Sequence, residues 1–314
     1  MMRFIVRRLG MVVLMFILVS MLIFGATQVL PGDVTTMVLG RFASQQAREA
    51  LRTELGLDRP LPVQYGAWLG DFVRGNWGIS VSMAGTDVRQ MVFQRLLNSL
   101  KLALVGLLMF ALPGIVLGVV AGIRRNSWLD NVLSIGSLAF IGLPEFVTGL
   151  LLMTLFALQL HWLPASSQVF AGTSFLGVLP KLILPGMTVA LTSLAYVIRM
   201  TRASTVEVMK TDYLRTARLK GLPPHKVLFG HVLRNALLPT VTVIAVSIGW
   251  LVGGLIITES LFGYPGLGRL VLFAIQRRDL PLIQATTMLI VVINMLANLV
   301  ADIIYAYLNP QIRY

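Results

Sequence analysis

The chain contains no cysteine, which excludes a disulfide framework and a thiolate metal centre. Acids are scarce, 13 Asp and Glu against 26 Lys and Arg, and charged residues of either sign make up only 12% of the 314. A soluble domain normally carries about twice that charged fraction. There is no GxxxxGK run followed by Ser or Thr, so the chain has no P-loop for ATP. HExxH and GxSxG are missing too, which removes the common zinc-protease and serine-hydrolase chemistries. His161, His225 and His231 stand at no metal-ligand spacing. No catalytic residue, metal ligand or bound cofactor is therefore expected, and the energy for any work comes from a partner ATPase or an ion gradient.

What is present is mostly apolar. Hydrophobic residues are 56% of the sequence, and the mean hydropathy is +0.81. The net charge of +13 would suit nucleic acid. Many of the cations, however, flank apolar runs, where they set membrane topology. The expectation is an all-α polytopic protein in a lipid bilayer, with no nucleic-acid partner. Apolar runs at about 9–30, 100–123, 131–158, 179–199, 237–258 and 282–308 are long enough to span a membrane. The first follows Arg3, Arg7 and Arg8. It is too long for the apolar part of a signal peptide, and no small-x-small cleavage site precedes Pro31-Gly32-Asp33. It is read as an uncleaved span with its N-terminus inside. Domains follow as 1–30 (first transmembrane helix), 31–98 (an extracytoplasmic loop domain with a helical stretch near 44–55) and 99–314 (the core).

The positive-inside rule supports that topology. Segments assigned inside hold Arg3, Arg7, Arg8, Arg124, Arg125, Arg313 and the run of cations from Arg199 to Arg234. The two short outer loops and their edges hold only Lys181, Arg269, Arg277 and Arg278.

Small residues recur at four-residue spacing on two spans, Gly114, Gly118 and Gly122 on one and Gly249 and Gly253 on another. Such stripes let helices approach closely, either within the chain or at a subunit interface. Glu145, after Pro144, falls mid-span. An acid there costs roughly 2.5–3.5 kcal/mol on insertion scales, so it should line a pathway or make a buried hydrogen bond. Glu259 stands at a span edge, where an interfacial acid and a pathway role are both open. Asp302 suits a salt bridge near the end of the last span.

The polar stretch 212–239 is strongly basic, with Arg215, Arg218, Lys220, Lys226 and Arg234 against Asp212 alone. It predicts two short helices. Thr211 or Asp212 caps the first, which runs through Lys220 and stops at Gly221. Pro223-Pro224 opens the second, which runs to about Leu238 before Pro239 interrupts it. Leu214, Ala217 and Gly221 share one face of the first. A helix–Gly–helix hook held between two spans is shaped to dock into a groove on another protein.

TARLKGL (216–222), followed by HVLRNALLP (231–239), resembles the "EAA" coupling segment of ABC importer permeases. DYLRTARLKGL resembles the dipeptide/oligopeptide/nickel branch, the binding-protein-dependent transport inner membrane components. Pro60-Leu61, Gln64-Tyr65, Trp68, Gly75, Gly78 and Ser80 match the member with the large first periplasmic loop. The resemblance extends to the tail, NPQIRY, where Asn309 and Gln311 replace the usual charges. It implies a permease subunit in the bacterial inner membrane, both termini cytoplasmic. It also implies a homologous second permease, two cytoplasmic ABC ATPases carrying ATP and magnesium, and a periplasmic or lipid-anchored solute-binding protein. The residues implied for coupling are Asp212, Arg215, Ala217, Arg218, Lys220, Gly221 and Leu222, with Ala217, Gly221 and Leu222 forming the close-approach surface. Peptides, glutathione, nickel chelates and oligosaccharides all remain open as substrates. The competing reading, a gradient-driven carrier or channel, would favour ionisable residues inside several spans. Here only Glu145 is central.

Overall fold

A computed structural model describes residues 2–29, 44–54, 58–83, 85–169 and 175–308. Their regular secondary structure is helical, with one isolated bridge between Ile79 and Asp87 and no named strand among them. The first half holds α1 (Met2–Val29), α2 (Gln45–Glu54), α3 (Leu61–Arg74), α4 (Val88–Ile123) and α5 (Trp128–Gly142). It ends with α6 (Glu145–Leu152), prolonged by a π turn at Met153–Gln159. Then come α7 (Phe175–Met209), α8 (Asp212–Leu219) and α9 (Pro224–Val227). A π turn at Leu228–Val232 leads into α10 (Leu233–Leu261), followed by α11 (Leu267–Arg277) and α12 (Leu280–Leu308). Five helices are long and apolar enough to cross a membrane, or six if the bent pair α5–α6 is one span. The expected all-α polytopic class is what the chain adopts. The NPQIRY tail and residues 30–43 lie outside the described residues.

Two spans differ from expectation. The third is broken, with α5 and α6 meeting at 113°. Pro144 is the cause. A residue before proline is driven out of the helical region, and Leu143 is extended at φ −86, ψ 130. Pro239, in contrast, does not end the second hook helix; α10 runs straight through it. Only one backbone bond, to the Asn235 carbonyl, is forfeited. In an apolar medium the other backbone groups have no partner except the helix itself. The hook is therefore continuous with the span that follows.

The chain divides into two compact units. The first comprises Met1–Ile5, Ser99–Pro265 and Asn294–Tyr314. Within it α7 packs on α10, α5 and α6, around a core that includes Leu102, Phe110, Leu182, Val197, Leu251 and Tyr264. The glycine stripe of α4 is filled from within the chain. A Cβ on Gly114, Gly118 or Gly122 would sit 2.6 Å from Val197 Cγ1, 2.5 Å from Thr201 Cβ and 2.6 Å from Thr205 Cβ, all on α7. Gly118→Leu is accordingly expected to force α4 off α7 at a cost of about 1–3 kcal/mol, seen as a lower thermal midpoint of the detergent-extracted protein. Gly249 meets α12 in the same way, a Cβ there falling 2.7 Å from Asn298 Oδ1. Asn294 Nδ2 donates to the Gly249 carbonyl at 3.3 Å. The surroundings of Gly253 lie outside the described residues.

The second unit comprises Val6–Asn98 and Gly266–Ile293. Aromatic contacts hold α3 to α1, with Phe24 5.6 Å from both Tyr65 and Trp68. Trp77 stacks between Phe72 and Phe93 at 5.3 and 5.6 Å. Gln284 Nε2 on α12 donates to Thr27 Oγ1 at 2.8 Å. A cleft of about 350 Å³ lies between α1, α3 and the start of α12, walled by Trp68, Phe72 and Trp77. Val88, Val92, Leu270, Ala274 and Leu282 form the core of this unit.

Candidate functional site

The hook is built on its own small core. Leu214 from α8 meets Val208, Val227, Val232 and Ala236, and Ala217 is buried on the same helix. Asp212 opens α8, its charge favourable beside the helix N-terminus. The helix ends in a Schellman arrangement, the Gly221 N–H bonding the Arg218 carbonyl at 3.0 Å and the Leu222 N–H the Ala217 carbonyl at 3.4 Å. Gly221 holds φ +73, a left-handed conformation that costs an L-residue about 1–2 kcal/mol. Pro224 takes the first position of α9, where its missing N–H is harmless. Asn235 Nδ2 donates to Tyr213 Oη at 2.9 Å, joining the two arms.

Ala217 is only 6% exposed. It is buried on α8 together with Leu214. The outward face carries Arg215, Arg218 and Lys220, and Leu219, which is 80% exposed. Leu222 and Gly221 continue it, and a Cβ added to Gly221 would meet nothing within 4 Å. Leu219 was legible as an apolar position out of phase with Leu214 and Ala217. An isolated leucine among cations is ordinary, and only its exposure separates it from the core set.

The two carboxylates of interest sit apart from the hook. Glu145 occupies the first turn of α6, a favourable end for an acid. It accepts a hydrogen bond from Thr258 Oγ1 at 2.5 Å. A Cβ on Gly254 would fall 2.5 Å from Glu145 Oε2, so glycine makes room for the carboxylate. Glu259 is fully buried. It accepts from Ser99 Oγ at 2.5 Å, and its carbonyl takes the Tyr264 N–H at 2.8 Å. Burial raises the Tyr264 phenol above its ordinary pKa, and the Glu259 charge adds to the shift. Sequence reasoning missed Thr258, Gly254 and Ser99, whose roles depend on helix pairing, and the ion pair between Asp130 and Arg202. Among the described residues no group of three His, Asp or Glu is placed to hold a metal.

Residues 114–314 match the family described as the binding-protein-dependent transport system inner membrane component. Residues 1–100 match the N-terminal part of the same system's membrane component. The chain is 38% identical over 311 residues, 99% of both chains, to a probable peptide ABC transporter permease protein of Sinorhizobium fredii. It is 37% identical over 340 residues, all of this chain and 99% of the relative, to a di/tripeptide transport system permease protein of Pseudomonas aeruginosa. Against a glutathione transport system permease protein of Escherichia coli it is 36% identical over 315 residues, the full length of both. Such permeases are not themselves catalytic, bind no cofactor, and work within a larger transport complex in the inner membrane. A hook on a helical membrane body, with family matches over both parts of its length, makes this chain a member of the binding-protein-dependent transport system inner membrane component family, the permease subunit of an ABC importer.

Proposed function

We propose that this chain pairs with a homologous permease and two cytoplasmic ATPases to import peptides or related small solutes. A periplasmic or lipid-anchored binding protein delivers the cargo, and ATP and magnesium reside on the ATPases. The names of the relatives, for peptides, di/tripeptides and glutathione, support the cargo class. The hook and both termini face the cytoplasm, as the distribution of cations favours. Residues 1–30 form the first span, 31–98 an outer loop domain and 99–314 the translocating core, with 212–239 as coupling segment.

The observation that carries this reading is the outward face of α8. An 80% exposed Leu219 lies among Arg215, Arg218 and Lys220 on a hook whose inner face is already satisfied by its own core. An apolar anchor within a charged rim is the pattern of a protein–protein contact. Asp212, Ala217 and Gly221 shape that face from behind, and Leu222 extends it. Closure of the ATPases on ATP pushes α8. The push enters the membrane through α7 on one side and α10 on the other, since α10 continues unbroken from the hook. Glu145 and Glu259 border the pathway that opens and closes.

The test is to tag the chain, extract it from its native membrane in mild detergent and weigh what accompanies it. Two ATPases and a second permease are expected. A lone species or homo-oligomer under every mild condition would overturn the reading and favour a gradient-driven carrier.

A further inference from the structure

Asp130 and Arg202 form a built ion pair that no part of the proposed coupling step has used. Ser127 caps α5, its Oγ accepting from the Asp130 N–H at 3.2 Å, which sets Asp130 in the first turn. Its side chain is 1% exposed and that of Arg202 29%. Arg202 grips the carboxylate bidentately. Nε bonds Oδ1 and Nη2 bonds Oδ2, the second at 2.7 Å. The Asn126 N–H donates to Oδ2 at 2.9 Å and Ser134 Oγ to Oδ1 at 3.4 Å. Planar two-point contacts of this kind fix direction as well as distance.

The pair's position in the fold gives it meaning. Arg202 lies about two turns before α7 ends at Met209, just ahead of the hook. On the same turns Thr201 and Thr205 press on Gly118 and Gly122 of α4, and Thr201 Oγ1 bonds Thr240 Oγ1 of α10 at 3.0 Å. At this end of α7 the ion pair supplies a directional link to α5, beside the direct packing of the two helices. Helix α5 in turn runs to the 113° break, beyond which Glu145 holds Thr258 of α10. A partly desolvated ion pair is a poor way to gain stability, because an apolar pair of similar volume often does as well or better. Its distinctive property is a directional link that holds or lets go as a unit.

We propose that Asp130 and Arg202 are positioning residues that carry displacement of the hook from α7 along α5 to the break at Leu143-Pro144. This rests on the reading of α8 as the ATPase contact. Without the pair, the ATPases still close on ATP, but the break and α6 no longer follow.

The experiment uses the full complex in nanodiscs. Since the chain has no cysteine, spin labels are placed at the exposed positions Phe146→Cys on α6 and Val246→Cys on α10. Their separation is measured before and after trapping with ATP and vanadate. The unaltered ion pair is expected to give a shift of about 2 Å or more. The double variant Asp130→Asn/Arg202→Met removes both charges at nearly constant volume. It is expected to trap nucleotide normally, to match the unaltered thermal midpoint within a few degrees, and to lose more than half of the shift. Arg202→Lys, which keeps the charge but not the fork, is expected to lose part of it and covers the case in which the double variant does not fold. A purely structural pair predicts that restored stability restores the shift, and a full shift in either folded variant overturns the proposal. If the unaltered complex retains no ATPase, the docking reading fails first, and the two failures are told apart.

Discussion

Leu219→Glu is expected to weaken retention of the ATPase subunits by about 30-fold, with the permease still present in the membrane at near-normal amount. An interface anchor is worth about 2 kcal/mol or more, and each 1.4 kcal/mol is a factor of ten. Leu219 is 80% exposed in the isolated chain, so replacing it removes nothing from the hook's own core. Leu214→Glu, five residues back on the same helix, is the contrasting case. Leu214 is fully buried among Val208, Val227, Val232 and Ala236, and a charge there would need to be solvated or expelled. That variant is expected to lower the amount of folded permease itself. Gly221→Arg falls between them. Nothing crowds an added Cβ, but φ +73 penalises any side chain, so the turn shifts and uptake falls while protein level holds. Pull-down of ATPases by tagged permease, normalised to permease in the membrane, separates the three. Unchanged retention in Leu219→Glu would remove Leu219 from the contact.

The hook was legible in sequence because its signals are local. Gly221, Pro223-Pro224 and the alternation of leucine with arginine each act within a few residues, and the α8–α9 turn is built as those residues imply. Which face points outward was not legible. Leu214 and Ala217 share a face, and that face could equally well be the one turned to a partner. The packing of Val232 and Ala236, from the following helix, decides it. The membrane spans were visible as apolar runs, but the behaviour of their prolines was not. Pro144 breaks a span and Pro239 does not. Each depends on whether neighbouring groups can take up the lost backbone contacts. The glycine stripe announced close approach, and only Val197, Thr201 and Thr205 of α7 reveal to what. Glu145 was recognisable as an acid that needs a partner. Thr258 lies 113 residues away in sequence, beyond any local pattern.

Asp279→Ala is expected to lower the thermal midpoint of the purified protein by roughly 6–12 °C, from a loss of about 3 kcal/mol. Asp279 is fully buried and performs two tasks with its two oxygens. Oδ1 accepts from the Leu282 N–H at 3.3 Å, capping α12. Oδ2 accepts from Ser80 Oγ at 2.5 Å, the Ser82 N–H at 2.9 Å and Ser82 Oγ at 2.7 Å. The segment before α4 is thereby tied to the corner between α11 and α12, all within the second unit. Alanine leaves these donors buried without acceptors, and an orphaned donor costs more than its bond contributed. Asparagine has a single acceptor oxygen, which can serve the helix cap or the two serines but not both. Asp279→Asn is therefore expected to lose about half as much as alanine. Ser82→Ala, which removes one hydroxyl and leaves its N–H in place, is expected to lose about 1 kcal/mol or less. That order, alanine worst, asparagine intermediate and the serine variant mildest, follows from the division of labour between the two oxygens. An asparagine variant as stable as the parent would show that the cap alone matters and that the serine contacts contribute nothing to holding the loop.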